Sequence, residues 1–234
     1  ATPGETVKIQ YYGSKIENSD IQGIYDVGMV FNADSYPAFG LQTMGEKAIA
    51  ATQPDGNMSL DLKIEQVKQY PTKDGEVTEI LLKDKVYPFE IKQYYKAYQG
   101  TDIISTWIEI MNNGKKSVTL YRFVSAYLPV QRGDNWLTHF HGHWGAENML
   151  EEEKLTNGQK VISNKDGMVN TETDNPSFML SIDGKPQEEY GHILGGTLAW
   201  TGNYLLKMDI TNTKLNIIAG INEENSHYKL EPKE

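Results

Sequence analysis

The sequence predicts an all-β fold, a large antiparallel β-sandwich with few or no helices, and three observations carry that expectation. Short apolar segments with period-two alternation recur along most of the chain, as half-buried strands require. Turn-forming clusters such as Asp166-Gly, Asp183-Gly-Lys-Pro186 and Thr211-Asn-Thr213 separate them, because Gly, Asn and Asp tolerate the backbone angles of tight turns. Helical periodicity is weak throughout, and many short strands at this spacing favour a sandwich.

Residues 1–57 are rich in Gly, Asp and Asn, with short apolar runs only at Val7–Tyr12 and Gly28–Phe31. Strands are then expected at Met58–Val67, Thr78–Leu82 and Phe89–Ala97. Ile103-Ile-Ser-Thr-Trp-Ile-Glu-Ile110 reads as a further strand, and Ser117–Val130 has apolar or aromatic residues in both registers, the pattern of a strand covered on both sides. Met111-Asn-Asn-Gly-Lys-Lys116 between them carries the Asn-Gly turn signature, so the two are expected to form a hairpin. Ala146–Lys154 is a modest helical candidate, but its three consecutive glutamates read better as a solvated turn. Strands follow at Lys160–Ser163, Phe178–Ile182, Ile193–Ala199, Leu205–Ile210 and Leu215–Ile221.

The chain has 234 residues, 38% of them hydrophobic and 14 of them tyrosine, enough material for one two-layer domain spanning 1–234. A formal charge of −10 disfavours nucleic acid and anionic membrane as partners, since both reward clustered Lys and Arg. Without cysteine there are no disulfides, thiolate metal sites or thiol nucleophiles, and the compartment stays open. No run of about 18 apolar residues is present, and Ala1-Thr-Pro-Gly-Glu lacks the regions of a signal peptide. A soluble protein is expected, cytoplasmic, or exported if a leader has been removed.

The sharpest local cluster is His139-Phe-His141-Gly-His143, with Trp136 and Trp144 beside it and Glu147 just beyond. On a strand the three imidazoles share one face, and three histidines suit zinc if their nitrogens converge. Side chains two apart on a strand lie about 7 Å apart, however, which favours hydrogen bonding to neighbouring loops or to another domain. A metal-dependent β-sandwich enzyme using His139, His141 and His143 is the least favoured reading, and no cofactor is expected. Trp136 and Trp144 suit either packing or a sugar-stacking platform, whereas Trp107 and Trp200 lie in strand patterns and read as structural. Adjacent acids such as Glu151-Glu-Glu153 and Glu188-Glu189 select no glycosidase pair. Gly195-Gly196 lacks the rest of a nucleotide-binding pattern.

Phe89-Glu-Ile91, Trp136-Leu-Thr-His-Phe-His-Gly-His-Trp-Gly-Ala-Glu147, Asn175-Pro-Ser-Phe178, Gly196-Thr-Leu-Ala-Trp-Thr-Gly-Asn-Tyr204 and Ala219-Gly-Ile-Asn222 follow one another at characteristic spacings. Together they resemble the N-terminal β-sandwich domain of family 36 glycoside hydrolases, the α-galactosidases. The resemblance implies a supersandwich packed against a catalytic barrel of the same polypeptide, expected after residue 234. It further implies an Asp nucleophile and an Asp acid/base in that barrel, which cleave terminal α-galactosides with retention, and an oligomeric parent enzyme. This chain would then hold no catalytic residue, and its role would be scaffolding. Trp136, His139, His141, Trp144, Glu147 and Asn203 are the candidates nearest substrate or interface. The N-terminal stretch departs from the family, because alignment on Pro37-Ala38 places Asn32-Ala-Asp-Ser-Tyr36 where members carry Gly-Asp-Phe-Arg-x, so the Asp and Arg are lost. The competing expectation is a free-standing carbohydrate-binding module for galactosides, with Trp136, Trp144 and the nearby histidines as its sugar surface.

Overall fold

The computed structural model describes residues 3–9, 12, 17, 19, 33–40, 45–168, 174–224 and 226–234. The apolar run at 28–31 and residues 10–11 of the first run lie outside the described residues. Sixteen strands are described, and no described helix is long and apolar enough to cross a membrane. The all-β expectation is met. The chain forms two compact units, one of residues 1–120 with 228–234 and one of residues 121–227.

The first unit opens with β1 (Lys8–Ile9), β2 (Ala33–Asp34) and β3 (Ile49–Thr52), of which β1 and β2 pair antiparallel. A four-stranded antiparallel meander follows: β4 (Leu62–Thr72), β5 (Gly75–Asp84), β6 (Phe89–Tyr98) and β7 (Ile104–Asn112). Its register aligns Ile64, Leu82, Ile91 and Ile110 across the four strands, and the first three are buried. Full burial of each such side chain contributes about 1.5–3 kcal/mol. β4 begins later and runs further than expected, through Pro71. It is an end strand of its sheet, where a missing proline N–H leaves no neighbour unpaired.

The expected hairpin of the 103–110 and 117–130 strands does not form. β7 pairs only with β6 in its sheet, whereas β8 (Val118–Gln131) belongs to another sheet. The C-terminal segment takes the intervening place. β16 (Tyr228–Leu230) pairs antiparallel with Val118–Leu120. Beyond it, Asn112 donates its backbone N–H to the Glu234 carbonyl at 2.8 Å and accepts one from Lys233 at 2.7 Å. The buried Asn112 side chain completes the junction, donating to Lys116 O at 2.9 Å and Leu230 O at 3.2 Å and accepting from Gly114 N–H at 3.0 Å. The Asn-Gly turn therefore exists, but it carries the chain between sheets.

The second unit is a two-layer sandwich. β9 (Trp136–His143), β10 (Ala146–Lys154), β12 (Asp174–Ser181) and β13 (Ile193–Thr197) form one sheet in the order β10-β9-β12-β13. β11 (Gly158–Asn164), β14 (Tyr204–Ile210), β15 (Lys214–Ile221) and the later part of β8 form the other, in the order β11-β14-β15-β8. Leu137, Phe178 and Leu180 of the first sheet pack in one cluster with Ile162, Leu206, Met208, Leu215 and Ile217 of the second. Alternation places these residues on the inner faces, as two aligned sheets require.

Residues Ala146–Lys154 are neither helix nor solvated turn, because they form the edge strand β10. Glutamate is a poor strand former, yet pairing with β9 supplies the ladder, and charge along an edge discourages further strands from adding. β3 and β16, of four and three residues, are too short to leave a periodic signal.

Candidate functional site

The candidate residues centre on β9, an interior strand flanked by β10 and β12. Period-two alternation puts Leu137, His139 and His141 on one side and Trp136 on the other. Leu137 belongs to the core, so that side faces inward at its start and reaches the rim toward the hairpin tip. His139 is buried, whereas His141 and His143 are exposed.

Each histidine has its own partner. His139 Nε2 lies 3.0 Å from Glu153 Oε1, and a carboxylate can only accept, so Nε2 carries the proton. Glu151 Oε2 lies 3.6 Å from the same nitrogen, and Lys160 pairs with Glu153. The remaining nitrogen, Nδ1, is buried and has no partner among the described residues. His141 Nδ1 meets Asp174 Oδ1 at 2.9 Å, and His143 Nδ1 donates to the Trp144 carbonyl at 3.0 Å. Among the described residues no group of three such side chains could hold a metal ion.

Glu151 and Glu153 sit on one strand and turn toward the same buried imidazole. Burial pushes the Glu153 carboxyl up, but Lys160 and His139 together outweigh it and hold the group below its ordinary range. A general acid for glycoside cleavage needs the opposite shift. The arrangement locks a buried histidine and holds Glu153 as a carboxylate, an acceptor rather than a proton donor.

The tip of the β9–β10 hairpin explains the spacing of the Gly-His-Trp-Gly motif. Register slips between Ala146 and Met149, so β10 bulges toward Gly142. A Cβ there would lie 2.6 Å from Ala146 O and 2.8 Å from Glu147 Cα, both backbone atoms. Gly142 therefore accommodates the opposing bulge. Gly145 holds the turn at φ +80°, a conformation that disfavours side chains. Its N–H donates to Glu147 Oε1 at 3.0 Å, and this bond holds the Glu147 acid below its ordinary range. Glu147 thus closes the turn that presents Trp144, whose indole is 81% exposed.

Trp136 and Trp144 do not share a platform. They stand eight residues apart along β9 and its turn, about 26 Å for an extended strand. Trp136 is half-buried and lies opposite Lys154 and Ser181 in the register. The Lys185 ammonium sits 5.7 Å from its ring centroid, within cation–π range. Asn203 has a separate neighbourhood, where its Oδ1 accepts Gly167 N–H at 2.7 Å and its carbonyl accepts Trp200 Nε1–H at 3.2 Å. Trp200 lies beyond the end of β13 and is 47% exposed, so it does not sit within a strand. A cavity of about 350 Å³ in this unit is lined by Lys165, Lys207, Glu223 and Glu224, among others, and by none of the candidates. Sequence reasoning missed Asp174, Glu153 and Lys160 as partners of the histidines, because only strand register brings them together.

Residues 5–231 match the Glycosyl hydrolase family 36 N-terminal domain. The chain is 23% identical over 215 residues to alpha-galactosidase AgaA of Geobacillus stearothermophilus, covering 85% of this chain and 29% of that protein. It is 25% identical over 264 residues to alpha-galactosidase Mel36A of Lactobacillus acidophilus, covering 99% of this chain and 36% of the relative. The chain thus spans about a third of the length of these relatives. Among solved structures, the AgaA crystal structure superposes with a TM-score of 0.80 at 23% identity over 86% of this chain and 30% of that one. A variant of AgaA in complex with stachyose gives 0.81 at 21% identity over 97% of this chain and 33% of that one. At such identities these superpositions speak for the fold.

Proposed function

Because the chain belongs to the family of glycosyl hydrolase family 36 N-terminal domains, we propose that it is the non-catalytic N-terminal domain of a retaining α-galactosidase. In this reading, residues 1–234 act as one domain that supports a catalytic barrel of the same polypeptide and contributes to subunit contacts. Trp144, His141 and Glu147 are its interface-proximal residues. Trp136, His139 and Asn203 hold the local framework.

The observation that carries the reading is the extent of the match. It spans nearly all of this chain, yet the aligned relatives extend far beyond it, with only 29% and 36% of their lengths covered. Glu153, the acid beside the buried His139, agrees, since it is held low rather than raised. The exposed Trp144 suits a surface made for a neighbour, because a large indole left in water forgoes its burial energy.

Hydrolysis of an aryl α-galactoside tests the proposal, with the 234-residue chain prepared from a host lacking α-galactosidase and compared with the product of its entire reading frame. The chain alone is expected to be inert and the whole product active. Turnover by the chain alone, lost on Glu153→Gln, would overturn it. The same exposed indole supports a second reading as a free-standing galactoside-binding module. Saturable sugar binding that disappears in Trp144→Ala would favour that reading.

A further inference from the structure

The first unit carries an aromatic feature that the scaffolding role does not use. On the face of β4–β7 opposite Ile64, Ile80, Leu82 and Ile91, Tyr94 and Trp107 stand directly across from each other. Their rings stack with centroids 4.8 Å apart and planes 4° from parallel. Tyr94 is buried, while Trp107 remains 36% exposed. Tyr94 covers one face of the indole, and β7 is an end strand of its sheet. No further described strand of that sheet therefore lies beyond the indole on the side away from Tyr94.

Its surroundings are polar but electrically balanced. Tyr94 Oη donates to Glu109 Oε2 at 2.9 Å, which fixes both the phenol and the carboxylate beside the indole. Burial, reinforced by Glu109, raises the phenol well above its ordinary range, so it remains a donor at any physiological pH. Lys92 pairs with Glu109 at 3.7 Å, Lys68 with Glu79 at 3.6 Å and Lys96 with Asp74 at 2.6 Å. Each of these three lysines thus has a carboxylate within reach. Such a surface leaves none of these three lysines unpaired to attract an anion. It offers a flat apolar ring bordered by oriented donors and acceptors, which matches a molecule having one C–H face and a rim of hydroxyls.

We infer that Trp107 is the platform of a carbohydrate-binding site for a neutral pyranoside, whose C–H face stacks on the open side of the indole while its hydroxyls bond Glu109 and Lys92. The inference does not depend on the α-galactosidase reading. Binding here is an equilibrium property of the first unit, read without turnover.

Calorimetry of the 234-residue chain with raffinose and with methyl α-galactoside tests it, alongside sodium sulfate as an anion. Saturable sugar binding in the millimolar range is expected, little changed by salt, with none for sulfate. Trp107→Ala should weaken it by about tenfold. Trp107→Phe, which keeps a ring against Tyr94 and guards against loss of folding, should weaken it by about threefold. Glu109→Gln should also lower affinity, and Trp144→Ala should leave it unchanged. The inference is overturned by absence of saturation, by unchanged affinity in Trp107→Phe, or by loss of binding in Trp144→Ala instead. Failure of the isolated chain to hydrolyse galactosides bears only on the scaffold proposal, so the two are tested separately.

Discussion

Replacing Asn112 probes the junction that displaced the expected hairpin. Its Nδ2 faces the carbonyls of Lys116, Leu230 and Glu231 at 2.9, 3.2 and 3.3 Å, while its Oδ1 accepts Gly114 N–H at 3.0 Å. The residue is 2% exposed, so water does not readily replace a lost partner. Each hydrogen bond is worth about 0.5–1.5 kcal/mol net, and each buried group left unpaired costs about 1–3 kcal/mol. Two amide protons cannot fully serve three carbonyls, so Asn112→Ala should destabilise by about 2–4 kcal/mol. At about 2–4 °C per kcal/mol for a chain of this size, the melting temperature should fall by about 4–16 °C. Asn112→Asp discriminates further. It keeps the acceptor for Gly114, yet it removes the donor and places a carboxylate against the carbonyls, so it should be at least as damaging. Calorimetry should be paired with limited proteolysis, because the C-terminal segment should become cleavable in both variants. If Asn112→Asp melts with the parent and residues 228–234 stay protected, the junction is not what holds that segment.

Three further outcomes are expected. Gly142→Ala should cost about 1–3 kcal/mol by overpacking the β10 bulge, and amide exchange should show the loss concentrated in Ala146–Met149. Leu180→Ala, at a fully buried position of the core cluster, should cost about 2–5 kcal/mol, whereas Trp144→Ala should shift urea unfolding by no more than about 0.5 kcal/mol. Glu153 is held below its ordinary range in the fold. The stability it contributes is therefore present above the unfolded glutamate pKa, about 4.3, and lost as pH falls through its lower folded value. Glu153→Gln should accordingly be less stable than the parent at pH 7, and the gap should close in acid unfolding curves below about pH 4.

Much of the fold was legible because strand periodicity is local. Phe89–Tyr98 and Leu215–Ile221 show their strand character in their own residues, as do the turns at Asp166-Gly and Asp183-Gly. The motif around His139 was equally visible. Its meaning was not, because a run of alternating histidines looks alike whether it binds metal or locks a strand.

The sequence by itself determined the all-β class, most of the strands and the family, since alternation, turn chemistry and motif spacing are written along one chain. Tertiary structure decided what depends on pairing between distant residues. It placed residues 228–234 against Asn112 and Val118 in place of the expected hairpin, and made Ala146–Lys154 a strand against its own propensity. It also gave His139, His141 and Trp107 their partners in Glu153, Asp174 and Tyr94. The physical reason is that a strand's hydrogen bonds and facing side chains belong to its neighbours, and register fixes those neighbours only when the sheet closes.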